Sequence, residues 1–240
     1  MSVRTFIISD IHLGSRQSRV ADFMAFLETL PPDVRLVLNG DVMTHYASED
    51  SLPADHAAVL DRLRAMSLDR ELIWLRGNND RHFTMKDPRK IIFAADYTVD
   101  NRLFVAHGDR FDHLMPMLRL VLIPLRLVYE FCTRVVGSKT HVASFAKRFP
   151  WVYNVLNGHV ARNAVGYARK QGLSAVTCGH THHPEASRYD GIQYFNTGCW
   201  TEHATRVLVV DDGRMTLHET SQAIRCPRTA APLVQAESRQ

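Results

Sequence analysis

Five short polar patches carry the residue types that metal-assisted hydrolysis needs: Asp10-Ile11-His12, Gly40-Asp41, Gly77-Asn78-Asn79-Asp80, His107-Gly108-Asp109 and Gly179-His180-Thr181-His182. Asp10, Asp41 and Asn78 offer hard oxygen donors, while His12, His107, His180 and His182 offer imidazole nitrogens. A pair of divalent cations about 3.5–4 Å apart can clamp the attacking and leaving oxygens of an in-line displacement at phosphorus, and can supply hydroxide near neutral pH from a bound water. Such a site shares one carboxylate between the ions. A donor set without thiolates suits Mn, Fe, Zn or Co better than a structural zinc, which favours cysteine.

Each patch hangs from an apolar run. Phe6-Ile7-Ile8-Ser9 leads into Asp10, Leu36-Val37-Leu38-Asn39 into Gly40, and Leu72-Ile73-Trp74-Leu75 into Gly77. Leu103-Phe104-Val105-Ala106 leads into His107 and Ala175-Val176-Thr177-Cys178 into Gly179. Continuous apolar runs of this length read as strands buried on both faces, and ligands gather where such strands end and loops begin. Between them, residues 17–30 and 53–66 carry helical apolar spacing. Residues 191–195 and 206–210 read as further strands, and Asp211-Asp212-Gly213 predicts a hairpin into Arg214–His218.

The ordered set Asp-x-His, Gly-Asp, Gly-Asn-x-Asp, His-Gly-Asp, Gly-His-x-His resembles the calcineurin-like metallophosphoesterase superfamily and spans residues 10 to 182. The resemblance implies a four-layer αββα sandwich, an α/β fold of two mixed sheets face to face. It also implies one metal site from Asp10, His12, Asp41 and His182, and a second from Asp41, Asn78, His107 and His180, with Asp41 as the bridge. Asp41, Asn78, Asn79 and His107 are the expected catalytic residues, and Asn79, Arg81 and His183 the expected substrate contacts. The implied cofactor is two divalent ions, Mn foremost, with Fe, Zn or Co as alternatives. The run His107–Asp112, the stretch after it and Asn196–Glu202 resemble more narrowly the UDP-2,3-diacylglucosamine hydrolases of lipid A biosynthesis, in which an insertion caps the metal site and holds acyl chains, or their less well assigned sister group.

That narrower resemblance implies a diphosphatase releasing UMP and a lipid sugar 1-phosphate. Two departures stand against it: Val42-Met43-Thr44-His45 replaces an aromatic and an acidic residue after Gly-Asp, and Asn79 replaces the histidine or arginine of relatives. Asparagine has no titratable proton to give an alkoxide leaving group, but a phosphate leaving group needs none. Asn79 therefore favours a phosphoanhydride or activated ester. The alternatives are a soluble phosphodiesterase or phosphatase acting on a nucleotide or other phosphoester, and a non-catalytic scaffold.

The 240 residues, 45% hydrophobic and 22% charged, suffice for one large domain over 1–222, with a helical cap insertion at about 112–171 and a mobile tail at 223–240. Residues 114–129 are strongly apolar but broken by Pro116, Pro124, Arg119 and Arg126, which fits a helix lying in a membrane interface or packed on the core rather than a span. The net charge is +4, part of it in Arg119, Arg126, Arg134, Lys139, Lys147 and Arg148, a basic face for anionic headgroups or for solvent. Without a stacking array of aromatic and basic residues, nucleic acid is not an expected partner. Cys132, Cys178, Cys199 and Cys226 show no metal or disulfide spacing and read as reduced, buried thiols. With only five residues before the first strand, cytoplasmic residence is expected, with a peripheral contact at the inner membrane.

Of the remaining histidines, His45 and His183 sit beside proposed ligands, and the others are expected to be structural or exposed. Asp80 and Asp109 are expected to orient ligands rather than bind metal. Asn196, Gly198 and Trp200 either line the pocket or close the sheet. Arg81 and Arg16 either clamp a phosphate or are plain surface cations.

Overall fold

The computed structural model describes residues 3–114, 150–220 and 237–238. Two six-stranded mixed sheets form the body. The first runs β11(Arg214–Glu219), β10(Arg206–Asp211), β1(Thr5–Ile8), β2(Arg35–Asn39), β3(Leu72–Leu75), β4(Ile92–Ala94). The second runs β12(Glu237–Ser238), β8(Glu185–Tyr189), β9(Ile192–Asn196), β7(Ala175–Cys178), β6(Leu103–Val105), β5(Tyr97–Val99). β1 to β4 pair in parallel, and β10 and β11 add an antiparallel hairpin whose turn carries positive φ at Asp212 and Gly213. In the second sheet β6, β7 and β9 are parallel, flanked by antiparallel β5 and β8.

The layering follows from the two-residue period of the strands. In β1, Phe6 and Ile8 point to one apolar cluster while Ile7 points to another. Ile7, Val37, Ile73 and Leu75 of the first sheet meet Leu103, Val105, Ala175 and Phe195 of the second in the cluster between the sheets. Phe6, Ile8, Leu36, Leu38, Leu72 and Trp74 face the helices α1(Val20–Thr29) and α2(Ala54–Asp69). α1 buries Val20, Phe23, Phe26 and Leu27, and α2 buries Val59, Leu60, Leu63 and Met66, each a helical apolar stripe. On the far side, α3(Pro150–Lys170) sets Val160, Ala161, Ala164, Val165 and Ala168 against Phe104, Val176 and Tyr194. The result is the expected αββα sandwich.

α1 begins three residues later than the apolar spacing suggests. Ser18 Oγ donates to the Ile11 carbonyl (2.8 Å) and Ser15 N to the His12 carbonyl (3.0 Å), so residues 15–18 brace the first motif loop instead of helix. Three short strands, β4, β5 and β8, were not expected, nor was the two-residue β12 within the expected tail. Residues 115–149, which hold most of the expected insertion, its basic residues and most of the apolar 114–129 stretch, lie outside the described residues. So do Cys132, Cys226 and most of the expected tail, apart from β12, which pairs with β8. Cys178 and Cys199 are buried free thiols. Among the described residues no helix is long and apolar enough to cross a membrane.

Candidate metal centre

The loops leaving β1 and β2 stay paired beyond the sheet. Asp10 N donates to the Gly40 carbonyl (3.0 Å), His12 N to Asp41 O (3.0 Å), Leu13 N to Val42 O (2.7 Å) and Thr44 N to Leu13 O (2.9 Å). This ladder carries Asp10, His12 and Asp41 side by side. Asp80, from the loop after β3, locks that loop to its neighbour: its Oδ2 accepts from Val42 N (2.9 Å) and Trp74 Nε1 (3.0 Å), and its Oδ1 from Gly77 N (2.6 Å). Asp80 is buried, and burial followed by the nearby Asp41 charge raises its pKa.

The second sheet delivers imidazoles. His107 Nδ1 lies 2.9 Å from the Asn39 carbonyl, which can only accept. Nδ1 therefore carries a proton, and Nε2 points toward Asp41 Oδ1 (3.4 Å) and Asp10 Oδ1 (3.9 Å). After β7, Gly179 N donates to His107 O (2.8 Å) and His180 N to Asp10 Oδ2 (3.0 Å), which places His182 Nε2 3.1 Å from Asp10 Oδ1 and 3.1 Å from His12 Nε2. The segment after β9 ties this loop down: Asn196 Nδ2 donates to Gly179 O (2.9 Å) and Thr181 Oγ1 (3.1 Å). Thr197 Oγ1 shares a 2.6 Å hydrogen bond with Ser9 Oγ, and Trp200 N donates to Asp10 O (2.9 Å).

Close approach is purchased with glycine and unusual backbone. A methyl group at Gly77 would overlap the Asp41 carboxylate, and one at Gly179 would overlap Asp10 and Ser9. Asp10, His12, Asp41, His180 and His182 all have φ between 51° and 66°, a left-handed conformation that costs most residues of order 1 kcal/mol or more.

Two triads of possible ligand atoms converge in the buried interior: Asp10, His12 and His182, and Asp10, Asp41 and His107. The buried Asp10 Oδ1 lies among three imidazole nitrogens, His182 Nε2 (3.1 Å), His12 Nε2 (3.7 Å) and His107 Nε2 (3.9 Å), a convergence of donor atoms expected of groups meant for a cation. Burial alone would raise the Asp10 and Asp41 carboxyls, but His107 and other imidazoles outweigh it and hold both below the usual carboxylate range. Conversely, burial works against protonating His107 and His182, yet the carboxylates win: Asp41 and Asp10 raise His107 well above an ordinary histidine, and Asp10 lifts His182 to about 10. Two carboxylates that hold protons on neighbouring imidazoles form a cavity demanding positive charge, and a divalent cation meets that demand.

Five of the seven expected ligands, Asp10, His12, Asp41, His107 and His182, are thus gathered. Asn78 is exposed, and its neighbour Asn79 holds Asp41, its N donating to Oδ1 (2.8 Å) and its Nδ2 to Oδ2 (2.5 Å). His180 stands ring edge to ring face with His107 at 5.4 Å, with its Nε2 on Asp112 Oδ2 (3.0 Å). Arg81, 62% exposed, pairs with Asp109 (3.0 Å), and His183 packs against the Tyr153 ring. Trp200 is a core wedge between Phe23 and Phe26 and Asn196 a loop brace, so neither is a pocket wall. Asp80 orients the Gly77–Asp80 loop as expected, while Asp109 holds Arg81. Arg16 and His45 are exposed, and His56 is a buried acceptor for Gly14 N (2.9 Å). Sequence reasoning overlooked Asp112; the second acid in Asp109-Arg110-Phe111-Asp112 was its only signal.

The sequence profile of the calcineurin-like phosphoesterases matches residues 3–184. Solved structures similar to the chain include the phosphoesterase Yfce from E. coli (18% identity, 92% of this chain and 94% of that one, TM-score 0.44). They also include Vps29 from Chaetomium thermophilum (15%, 90% and 85%, TM-score 0.48) and an archaeal phosphodiesterase (14%, 90% and 98%, TM-score 0.43). No curated protein matched significantly. The chain belongs to the calcineurin-like phosphoesterase family and is a metal-dependent phosphoester hydrolase.

Proposed function

We propose that this calcineurin-like phosphoesterase cleaves the phosphoanhydride of a nucleotide-linked acylated sugar, as a UDP-2,3-diacylglucosamine diphosphatase does, releasing UMP and a lipid sugar 1-phosphate. The observation that carries the reading is Asn79. Its backbone N–H donates to Asp41 Oδ1 and its side-chain amide to Oδ2, and that side chain has no titratable proton to give a leaving group. A phosphate departs without protonation; an alkoxide does not, so the anhydride is the class this site favours.

Asp10, His12 and His182 would hold one divalent ion, and Asp41, His107, Asn78 and His180 the second, with Asp41 shared. Mn²⁺ suits this oxygen and nitrogen set, as do Fe, Zn and Co. Bound there, the ions supply Lewis acidity and a water of lowered pKa. Asn79 keeps Asp41 from rotating, and the Asn39 carbonyl keeps His107 Nε2 aimed inward. Arg81, anchored by Asp109, and His183, set by Tyr153, would meet the substrate phosphates from the rim. The part of the 112–171 stretch that precedes α3 would shelter the acyl chains and rest on the inner membrane surface of the cytoplasm; α3 itself is a layer of the sandwich.

Phosphorus NMR with purified protein, Mn²⁺ and UDP-2,3-diacylglucosamine, run beside bis-p-nitrophenyl phosphate, tests the reading. UMP release that vanishes in Asp41→Ala is the expected result. Turnover of the nitrophenyl ester alone would overturn the lipid substrate and assign a soluble phosphodiester instead.

A further inference from the structure

Asp112 stands at the root of the 112–171 stretch and reaches His180, an expected ligand outside the two gathered triads. It is 6% exposed. Its Oδ2 lies 3.0 Å from His180 Nε2, and its Oδ1 accepts from Leu114 N (3.1 Å), the first turn of the chain entering that stretch. The residue before it is pinned independently, since Asn163 Nδ2 on α3 donates to the Phe111 carbonyl (2.9 Å). The His180 backbone is fixed by Asp10 Oδ2, and its ring lies against His107.

We infer that Asp112 is a positioning residue that fixes the His180 tautomer and couples one of the two ion positions to the root of the 112–171 stretch. An ionised carboxylate only accepts, so the Asp112 contact puts the proton on His180 Nε2 and leaves the Nδ1 lone pair available for an ion. Such carboxylate–imidazole pairs commonly govern ligand orientation and basicity, and their loss typically weakens metal binding about 10–100-fold. Both Asp112 oxygens are committed, one to the ligand and one to the Leu114 amide. The carboxylate therefore ties the imidazole to the root of the stretch. The inference rests on the two-ion reading above.

The test titrates Mn²⁺ into metal-free wild type, Asp112→Ala and Asp112→Asn, with stoichiometry and site affinities from calorimetry and electron paramagnetic resonance. Two-bond ¹H–¹⁵N correlation spectra read the His180 tautomer in each protein before metal is added. Wild type is expected to bind two ions and to show the Nε2–H form. Asp112→Ala should lose about 10–100-fold at one ion position only and release His180 into mixed tautomers. Asp112→Asn keeps the size of the side chain but has one oxygen for two donors, and should fall between. If Asp112→Ala does not fold, Asp112→Asn carries the measurement. Unchanged tautomer with both affinities intact would overturn the inference, as would equal weakening at both positions. A wild type that binds a single ion would instead overturn the two-ion reading beneath it.

Discussion

The two sheets contribute unequally to the metal centre. The first supplies carboxylates, Asp10 and Asp41 with Asp80 behind them, and its loops are joined by backbone hydrogen bonds that continue the β1–β2 pairing. The second supplies imidazoles, His107, His180 and His182. Its backbone pairing runs on a short way, through Ala106 N to Thr177 O (3.2 Å) and Gly179 N to His107 O (2.8 Å). Beyond that its loops are held chiefly by side chains: Asn196, the Ser9–Thr197 pair, Asp112 and the Tyr153 hydroxyl on Thr181 O. His12 is the exception that crosses over. One half is thus built as an extension of the sheet, and the other as a loop strapped down from outside. Damage to the first should therefore cost stability and metal together, and damage to the second should cost metal geometry at little expense in folding.

The largest effect is expected at the point where the halves meet. Asp41→Ala removes the carboxylate that faces His107 Nε2 and receives both Asn79 donors, and should abolish phosphoesterase turnover while the fold survives by circular dichroism. Asp80→Ala comes next. It leaves Val42 N, Gly77 N and Trp74 Nε1 without their acceptor, each worth about 1–3 kcal/mol when buried. Part of that is returned because the lost carboxylate was itself costly to bury, as its raised pKa shows. A net loss of about 3 kcal/mol in urea unfolding, accompanied by weaker metal binding, would support the contrast; a variant with normal stability would break it.

The third prediction concerns protons. His182, lifted to about 10, and His107, also raised, hold protons at neutral pH in the metal-free protein. An ion must displace them, so binding releases protons and tightens as pH rises toward those values, about tenfold per pH unit for each proton lost. Calorimetry in buffers of differing ionisation enthalpy counts them; metal binding independent of pH between 6 and 8 would contradict this electrostatic account. The smallest effect is Asn196→Ala, expected to cost about 1–2 kcal/mol in folding because it removes neutral hydrogen bonds to a loop that is half-exposed at His180 and Thr181, yet to lower metal affinity measurably. Equal losses of stability from Asn196→Ala and Asp80→Ala would erase the distinction between the two halves.

Much of the sandwich was legible because its central strands are apolar on both faces, so Phe6–Ile8, Leu36–Leu38, Leu72–Leu75 and Ala175–Cys178 read as strands without help from alternation. The missed strands β4, β5 and β8 lie toward the sheet margins. Ile92–Ala94 and Tyr97–Val99 have three residues each and are mostly half-exposed, and Glu185–Tyr189 mixes Arg188 with Tyr189, so no apolar run announces them. The five gathered candidates were legible from residue types at the ends of apolar runs and from the family resemblance. The bracing was not: Asn196 and Asp112 act on residues far away in the chain, and only folding reveals that Thr197 meets Ser9. Trp200 was ambiguous for the same reason, since its partners Phe23 and Phe26 sit on a helix near the other end of the sequence.

The left-handed backbone at Asp10, His12, Asp41, His180 and His182 also bears on how such a centre could change its metal. Aspartate, asparagine and histidine are the non-glycine residues found most readily at that φ, and they are also donors that Mn²⁺, Fe²⁺ and Zn²⁺ accept. The chain's conformation and the ion's coordination chemistry therefore select the same short alphabet. Drift toward a thiolate centre would have to rebuild the turns first, whereas exchange among hard and borderline ions leaves the backbone untouched. A lineage carrying this scaffold can change its ion with the supply around it far more easily than it can change its ligands.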